Sequence, residues 1–451
     1  MEIIDMAETI VELLTDVADA IREKKGSTEP INAQDFANEI LSIEGGEQPF
    51  IEEKDVNFYD YDGTLLFAYT LAEAQALSEL PTPQGHEGLV FQGWNWEYED
   101  VIALDYPMNI GALYNTDSGD TRIYIRIEDE YAKNFQLAVE GNLSIDWGDG
   151  NIESISNSNI KYHTYADYGD YVISIKALSG GLGFGSGGAT GIYGVFLAPS
   201  KGRIESILKV EFGDNVTRIA PYLFTYCCNL KSVSIPNTIT SIGGSAFRNC
   251  ISLKYITIPR IETIPNLVFA YSGIKNVSLP PTINTIDAAF ESPNLEHIMV
   301  PDSVTNLVTT AFQRAYSLEY IRLSKNITIL PSSLFSNCKQ LKILLLPNGI
   351  VEIGSTCINN CDILQYLIIP PSVQKIGSYG IYTLLSLAYI DFSQHTTIPE
   401  LVASNSIGNL ASSNGTKIIV PDELYDEWIA ATNWTTHASK IVKNSEYIRP
   451  I

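Results

Sequence analysis

The chain is poor in positive charge: its 451 residues hold 28 Lys and Arg against 53 Asp and Glu, a net charge of −25. Nucleic-acid-binding proteins neutralise phosphates with clustered Lys and Arg, and no such cluster stands out here. The imbalance lies in residues 1–178, with 35 acidic and 9 basic residues, whereas residues 179–451 hold 18 and 19. We therefore expect no nucleic-acid partner. A partner of the second part would be held by shape and local contacts, with little help from long-range charge.

Long apolar runs and catalytic patterns are also missing. No apolar stretch reaches the roughly 18 residues that a membrane-spanning helix needs. The first residues are acidic and lack the basic start and apolar core of a secretory signal, so we expect no export signal. The five His, at positions 86, 163, 297, 395 and 437, lack metal-ligand spacing. With no nucleophile elbow and no pair of catalytic carboxylates, we expect no enzyme, metal or cofactor.

Residues from about 204 to 392 repeat themselves every 21 to 23 positions. Each repeat carries the pattern L-x-x-L-x-L, for example Leu318, Ile321 and Leu323. This alternation predicts a short strand, which a following Pro usually ends because Pro cannot donate to a sheet. A second apolar set in each repeat predicts a return along an opposite wall. Nine such rows predict a solenoid of about nine coils, which must stack to bury their apolar edges.

The second half of each repeat has a sequence pattern similar to that of a known repeat family. It resembles the BspA-like leucine-rich-repeat family in Pro236, Ile239, Ile242, Ala246, Phe247, Cys250 and Leu253. The resemblance implies a leucine-rich-repeat solenoid over residues 203–415 that serves as a binding scaffold. All six Cys lie inside the repeats, four of them three residues before the repeated Leu, so small buried thiols are favoured over disulfides or a metal site.

The N-terminal residues 1–46 have helical periodicity, with an apolar stripe running from Ile3 to Ile21. So short a segment lacks a core of its own, and we expect it to mediate attachment or oligomerisation, or else to dock as a helical hairpin on the next domain. Asp16 to Lys24 and Ile31 to Ala37 resemble N-terminal segments of phage and prophage tail proteins.

Residues 50–115 are predicted to form a small α+β module. A hairpin turns at Asp62-Gly63, Thr70 caps a helix over residues 71–80, and a strand covers residues 89–96. The block resembles the β-grasp-like repeats of bacterial and phage surface proteins, which act as spacers. Asp60 to Leu65 also matches the nucleophile motif of haloacid-dehalogenase-like phosphatases. The parallel α/β sheet, later Lys and acidic pair of that fold are missing, so the hairpin is favoured.

Residues 118–179 resemble a PKD-like immunoglobulin sandwich in Trp147-Gly-Asp149-Gly150 and His163-Thr-Tyr165. The resemblance places Trp147 in the core and Asp149 and Gly150 in a turn. Asp146, Asp149 and Asn151 could hold calcium, but turn capping is favoured. Eight Gly between residues 180 and 194 predict a linker over residues 180–202. Residues 416–451 are predicted to cap the open end of the solenoid.

The predicted fold class is therefore multidomain and mainly β. The domain order resembles tail-fibre or receptor-binding proteins of phages. It implies a virion tail protein that binds a host-cell surface protein or glycan, meets other tail proteins through its N-terminus and forms a homo-oligomer. A bacterial cell-surface adhesin is the alternative, and a glycan-processing enzyme is a second one.

The third and fifth positions of L-x-x-L-x-L point away from the core of a coil. They predict an exposed, aromatic contact face on the later coils. The alternative is that another part of the chain, or a second copy, covers it. The predicted binding residues are Tyr255, His297, Tyr320, Arg322, Ile343, Leu345, Tyr366, Ile368 and Tyr389.

Overall fold

The computed structural model describes residues 54–156, 159–184, 205–410 and 415–449. The predicted N-terminal helical segment, residues 1–46, lies outside these ranges, and its role in attachment or oligomerisation stays a prediction. The described chain forms a small α+β module, a β domain, a solenoid and a C-terminal cap.

The first unit, residues 54–116, is called the cover module below. Its elements are β1 (Val56–Tyr59), β2 (Leu65–Tyr69), α1 (Leu71–Gln75), β3 (Leu89–Trp94), α2 (Tyr98–Ile102) and β4 (Met108–Thr116). They form a four-stranded sheet in the order β2-β1-β4-β3. The predicted hairpin is confirmed, since β1 and β2 pair antiparallel. Thr70 caps α1 as predicted, but the helix ends at Gln75 and is shorter than expected.

The second unit, residues 121–184, contains only strands and is called the β domain. They are β5 (Thr121–Ile127), β6 (Asn134–Asp146), β7 (Ile152–Ile155), β8 (Asn159–Thr164) and β9 (Gly169–Phe184). Trp147 is fully buried, as predicted. Asp149 accepts hydrogen bonds from the Asn151 backbone N–H at 3.1 Å and pairs with His163 Nε2 at 2.8 Å. Asp149 therefore caps its turn, while the relation of this domain to the PKD type stays a prediction.

The predicted linker over residues 180–202 begins too early. Strand β9 continues to Phe184, where it pairs with Val139 of β6. Leu182 and Phe184 are buried, and Phe184 packs against Phe212 at a ring distance of 5.9 Å. Two apolar anchors thus hold a Gly-rich segment in a strand, although Gly alone favours a loop. Residues 185–204 lie outside the described ranges.

The solenoid, residues 205–410, has about ten turns, in agreement with the predicted nine rows. Its strands are β10 (Ile207–Glu211), β11 (Arg218–Ile219), β12 (Ser232–Ser234), β13 (Ser241–Ile242), β14 (Tyr255–Thr257), β15 (Thr263–Ile264), β16 (Asn276–Ser278), β17 (Thr285–Ile286), β18 (His297–Met299), β19 (Asn306–Leu307), β20 (Tyr320–Arg322), β21 (Ile329–Leu330), β22 (Ile343–Leu344), β23 (Glu352–Ile353), β24 (Ile358–Asn359), β25 (Tyr366–Ile368), β26 (Lys375–Ile376), β27 (Ile381–Leu384), β28 (Tyr389–Asp391), β29 (Glu400–Leu401) and β30 (Ile407–Leu410). Strands of successive coils pair in parallel, for example β14 with β16 and β18 with β20.

A column of phenylalanine rings runs through the core of the solenoid. Successive rings stack at centroid distances of 5.4, 5.8, 5.5, 5.6 and 6.0 Å. The column consists of Phe224, Phe247, Phe269, Phe290, Phe312 and Phe335, all fully buried. In the coils after Phe335, smaller side chains take the place of the rings. There the same edge of the solenoid forms a three-stranded sheet of β24, β27 and β30. Each ring therefore joins its coil to both neighbours.

The backbone beside each ring also joins the coils. The N–H groups of Tyr222, Phe224 and Tyr226 donate to carbonyl oxygens of the next coil, at 3.1, 2.8 and 2.9 Å. Tyr222 and Tyr226, two residues on either side of the ring, have φ of 60° and 66°. Left-handed residues alternating along a segment turn its N–H groups to one side, so these bonds all run toward the following coil.

The buried-thiol prediction is confirmed. All six Cys are buried thiols, and none forms a disulfide. Cys250 and Cys338 each direct their Sγ to a Phe carbonyl oxygen of the preceding coil, at 3.0 and 3.2 Å. Burial raises the pKa of Cys361 to about 12, so these thiols stay protonated and serve as small packing groups.

Both ends of the solenoid are covered. At the first coil, β5 of the β domain pairs antiparallel with β10, which makes one continuous sheet. At the last coil lies the C-terminal cap, residues 415–449. It contains β31 (Lys417–Val420), α3 (Tyr425–Ala430), β32 (Ile441–Lys443) and the 3-10 helices Asp422–Leu424, Trp434–Lys440 and Asn444–Glu446. Trp428 and Trp434 pack on Phe392 at 5.6 and 5.3 Å, which closes the core.

Replacing Phe269 by Ala should lower the free energy of unfolding by about 3–5 kcal/mol, because the ring contacts both neighbouring rings and leaves a cavity. The loss is measured by urea denaturation. Phe269→Leu should cost less, since Leu fills most of the space. Ile329→Ala, at a side chain that is 50% exposed, is the control and should stay within about 0.5 kcal/mol of the parent. Equal losses at Phe269 and Ile329 would contradict the stacked column.

Acid should destabilise the contact between the solenoid and the C-terminal cap through His395, whose ring lies 6.1 Å from that of Trp428. Burial lowers the pKa of His395 to about 4, and the side chain is 3% exposed. The unfolded chain, with an ordinary His pKa near 6.5, binds more protons than the folded chain between these values. Stability should therefore fall by up to about 3 kcal/mol as the pH drops from above 6.5 to 4. Denaturation at several pH values should show a smaller slope for His395→Gln; an unchanged slope contradicts this origin.

Candidate functional site

The predicted contact residues lie on one face of the solenoid, formed by the strands from β10 to β31 that carry the L-x-x-L-x-L pattern. We call it the ladder face. The structure places the cover module directly on its first six coils, from β10 to β20. Tyr255 is 5% exposed and packs on Tyr59 at a ring distance of 5.3 Å, and Tyr320 is 6% exposed in the core of the cover module.

Polar side chains align the cover module with the ladder face. Asn95 is fully buried and donates to the carbonyl oxygens of Ile258 and Ser278, at 3.0 and 3.2 Å. Trp96 Nε1 donates to the Leu279 carbonyl at 2.8 Å. Buried side-chain amides are costly unless paired, so these bonds define one docking position.

Strand β4 makes the closest approach. A Cβ atom on Gly111 would come within 2.2 Å of the Thr257 hydroxyl oxygen. Only glycine permits β4 to lie this near the ladder face. The fit is therefore specific to the backbones of both partners.

Arg322 belongs to this contact and is not free to bind a ligand. The side chain donates to the Val300 carbonyl at 2.7 Å and to Asp302 Oδ1 at 2.7 Å. Its guanidinium also lies 3.5 Å from the centroid of the Tyr106 ring, which the cover module supplies. Burial by itself would raise the pKa of Asp302, but Arg322 and the Lys325 N–H hold it below its usual value.

The far end of the ladder face is covered by the C-terminal cap. Tyr389 is 9% exposed and packs between Tyr366 and Tyr447, with ring distances of 5.8 Å to each. Asp391 forms a buried ion pair with Arg449 at 2.6 Å. The tail of the chain thus lies over the last coils.

The prediction of an exposed contact face is consequently wrong for Tyr255, Tyr320, Arg322, Ile343 and Tyr389, which are all buried. The alternative prediction, that another part of the chain covers the face, is confirmed. A solenoid repeat reveals which positions point outward from a coil, but not which unit packs on them. The signal that could have identified the cover was the run of small or polar residues at these positions on the early coils.

Three predicted residues remain accessible between the two covers. Leu345, Tyr366 and Ile368 are half-buried. They lie between the coil of Arg322, which Tyr106 of the cover module contacts, and the coil of Asp391, which Arg449 of the cap contacts. We call this group the sheet window. His297 is exposed at a separate point on the ladder face.

A cluster of charged and aromatic residues fastens the three units together. Glu211 of β10 is 1% exposed and accepts a hydrogen bond from Tyr124 of the β domain at 2.8 Å. Lys209 pairs with Glu211 at 2.5 Å and lies 5.4 Å from the ring of Tyr61 in the cover module. Cover module, β domain and solenoid therefore share one junction.

The phosphatase-like motif lies beside this junction and has a structural role. Asp60 is 3% exposed, accepts from the Tyr61 N–H at 2.8 Å and pairs with His86 Nε2 at 2.6 Å. The side chain holds the hairpin and the following loop together, as the hairpin prediction implies.

The part of the chain that the structure describes contains neither a metal-binding cluster nor a membrane-spanning helix. No group of three or more His, Cys, Asp or Glu within residues 54–156, 159–184, 205–410 and 415–449 could hold a metal ion. In the same ranges, no helix has the length and apolar character required to cross a membrane.

Comparison with known proteins identifies the repeats. Residues 203–319 and 309–421 match the BspA type leucine-rich repeat region, in six copies. The repeats of the solenoid are thus similar to leucine-rich repeats of the BspA type. The match covers the solenoid and the start of the C-terminal cap, and the cover module and β domain lie outside it.

Several solved structures can be aligned with about half of the chain. A leucine-rich repeat protein from Bacteroides ovatus is 20% identical over 51% of this chain and 76% of its own, with a TM-score of 0.32. The pneumococcal vaccine antigen PcpA is 15% identical over 51% and 70%, with a TM-score of 0.29. A leucine rich cell surface protein from Faecalibacterium prausnitzii is 18% identical over 47% and 91%, with a TM-score of 0.17. No curated protein matches the chain.

Because Tyr320 is buried under the cover module, Tyr320→Ala should destabilise the protein by about 2–5 kcal/mol, as Leu318→Ala should in the core of the coil. Urea denaturation measures both losses. Tyr320→Ala should also speed proteolysis within residues 54–116, whereas Leu318→Ala should act on the solenoid. Tyr316→Ala, at 40% exposure, serves as the control. A Tyr320 loss as small as that of Tyr316 would mean that the ladder face is open.

Proposed function

We propose that this chain is a non-enzymatic binding protein of the bacterial cell surface, an adhesin that recognises a protein or glycan on another cell. The BspA-type repeats support the class, since such repeat proteins are typically found at bacterial cell surfaces. The observation that carries the proposal is the sheet window, which stays partly accessible between the two covers of the ladder face. Cover module and cap frame it on a rigid scaffold.

The chemistry of the sheet window suits a contact site. Leu345, Tyr366 and Ile368 present adjoining apolar and aromatic surface, and Tyr366 is held by its stacking on Tyr389 at 14° between ring planes. A rigid aromatic group loses little conformational freedom on binding, which favours Tyr as an anchor. The covers also limit the partner to a protruding segment, because a broad flat surface would collide with them.

The tail-fibre function and a virion location remain the alternative. They depend on the resemblance of residues 1–46 to phage tail proteins, which lies outside the described residues. Labelling intact cells of the source bacterium with an antibody against the solenoid separates the two, since an adhesin is labelled on the cells and a virion protein on released particles.

Replacing both Tyr366 and Ile368 by Ser should reduce adhesion of protein-coated beads to host cells by roughly tenfold or more, since two central anchors are lost. Thermal unfolding of the variant should show that the solenoid remains folded. The matched control is Ile329→Ser, because Ile329 is exposed on the opposite sheet. Normal adhesion of the double variant would remove the sheet window from the proposal.

A further inference from the structure

A second surface lies along the loop edge of the first three coils, on the side of the phenylalanine column. It consists of residues 222–231, 245–254 and 267–275, and we call it the basic edge. These segments contain Lys231, Arg248, Lys254 and Lys275 but no Asp or Glu. In a chain of net charge −25, this is a local reversal of sign.

The basic edge also exposes apolar and aromatic side chains. Tyr226 and Tyr271 are each 37% exposed, and Ile251 is 48% exposed. Both tyrosines have left-handed backbone conformations, with φ of 66° and 55°. The Tyr271 hydroxyl donates to Glu291 of the next coil at 2.8 Å, and Arg314 donates to the same carboxylate at 2.6 Å. The ring of Tyr271 is therefore held in place.

Arg248 is the residue best placed to meet an anion. Its guanidinium lies 5.6 Å from the centroid of the Tyr271 ring. The Arg248 side chain is half-buried, and within the described residues it forms no ion pair with a carboxylate. Its Nε atom is buried and has no hydrogen-bond partner there, so a ligand would meet the outer part of the guanidinium. A planar guanidinium beside an aromatic face matches a carboxylate attached to an apolar ring.

We propose that the basic edge binds a linear polysaccharide of carboxylated sugars. Successive coils repeat about every 4.8 Å, so a polymer along the edge meets Lys231 and Arg248 on the first two coils. On the third coil it meets Lys275, which is paired with Glu296 at 2.6 Å. The exposed tyrosines offer flat apolar surface to the sugar rings, and Asn249 adds a side-chain amide. This binding surface goes beyond the proposed adhesin site and is independent of the sheet window.

The backbone of the edge disfavours an acidic peptide as the occupant. An extended peptide gains affinity by pairing with free N–H and C=O groups of a strand. Here the N–H groups of Tyr226 and Asn249 already donate to the next coil, both at 2.9 Å. Recognition must therefore come from side chains, through charge and ring faces.

The test measures binding of the full chain to oligogalacturonate by calorimetry, beside neutral dextran and polyglutamate of matched charge. Oligogalacturonate should bind and weaken as salt is raised, because exposed charges are screened. Dextran should not bind, and polyglutamate should bind distinctly more weakly. Absence of oligogalacturonate binding overturns the proposal, as does polyglutamate binding of equal strength.

Variants locate the surface. Arg248→Gln and Tyr271→Asn should each weaken binding by roughly tenfold, and Asn is tolerated in the left-handed conformation of Tyr271. The matched controls are Arg218→Gln, on an exposed position of the second sheet, and Tyr379→Asn, with φ of 57° and 42% exposure. Both controls should bind as the parent does. Parental affinity of the two edge variants, with thermal unfolding unchanged, would overturn the assignment. Failure here leaves the adhesion test of the sheet window unaffected.

Discussion

A single coil of this solenoid cannot bury its own apolar side chains. The stacking of the coils and the units at both ends of the stack provide the missing cover. Each phenylalanine ring is buried only because the preceding and following rings cover its two faces. The same dependence holds for the backbone, whose N–H groups find acceptors in the next coil. Stability of such a stack is a sum of neighbour interactions, so its two ends are the places where apolar surface and hydrogen bonds would be lost.

The chain closes those two ends by different means. At the first coil, β5 extends the solenoid sheet in the antiparallel sense, so backbone hydrogen bonds continue into the β domain. At the last coil, Trp428 and Trp434 supply bulk in place of another phenylalanine. A sheet edge and an exposed core would each favour aggregation if left open. The β domain thus has a structural task, whatever else it binds.

The fold of the solenoid could be predicted from the sequence because its signal is local and repeated. The spacing of Leu318, Ile321 and Leu323 defines strand and register within one coil, and the rows confirm one another. The contact between Gly111 and Thr257 could not be predicted in this way. It joins residues far apart in the chain, and neither segment carries a sequence signal that indicates its partner. The same limit explains the error at Tyr320, where outward orientation from the coil was taken for exposure to solvent.

Two segments had sequence signals for more than one structure, and packing decides which structure each of them forms. Gly180 to Phe184 have the composition of a linker, but Leu182 and Phe184 bury enough apolar surface to keep them in β9. Asp60 has the neighbours of a phosphatase nucleophile, yet its bonds to Tyr61 and His86 are those of a hairpin. For the candidate site, the sequence indicated Leu345, Tyr366 and Ile368 correctly as outward-facing, and it could not distinguish them from the covered residues around them.

The one-way hydrogen bonds beside the phenylalanine column have an electrical consequence. In an ordinary sheet, neighbouring peptide groups point in opposite directions and their dipoles cancel. Along this edge, the N–H groups of each coil point toward the following coil, as those of Tyr222, Phe224 and Tyr226 do. Their dipoles add as they do in a helix. This edge therefore has its negative end toward the first coil and its positive end toward the last, whereas bonds on other walls, such as Thr240 N–H to the Thr217 carbonyl, run the opposite way.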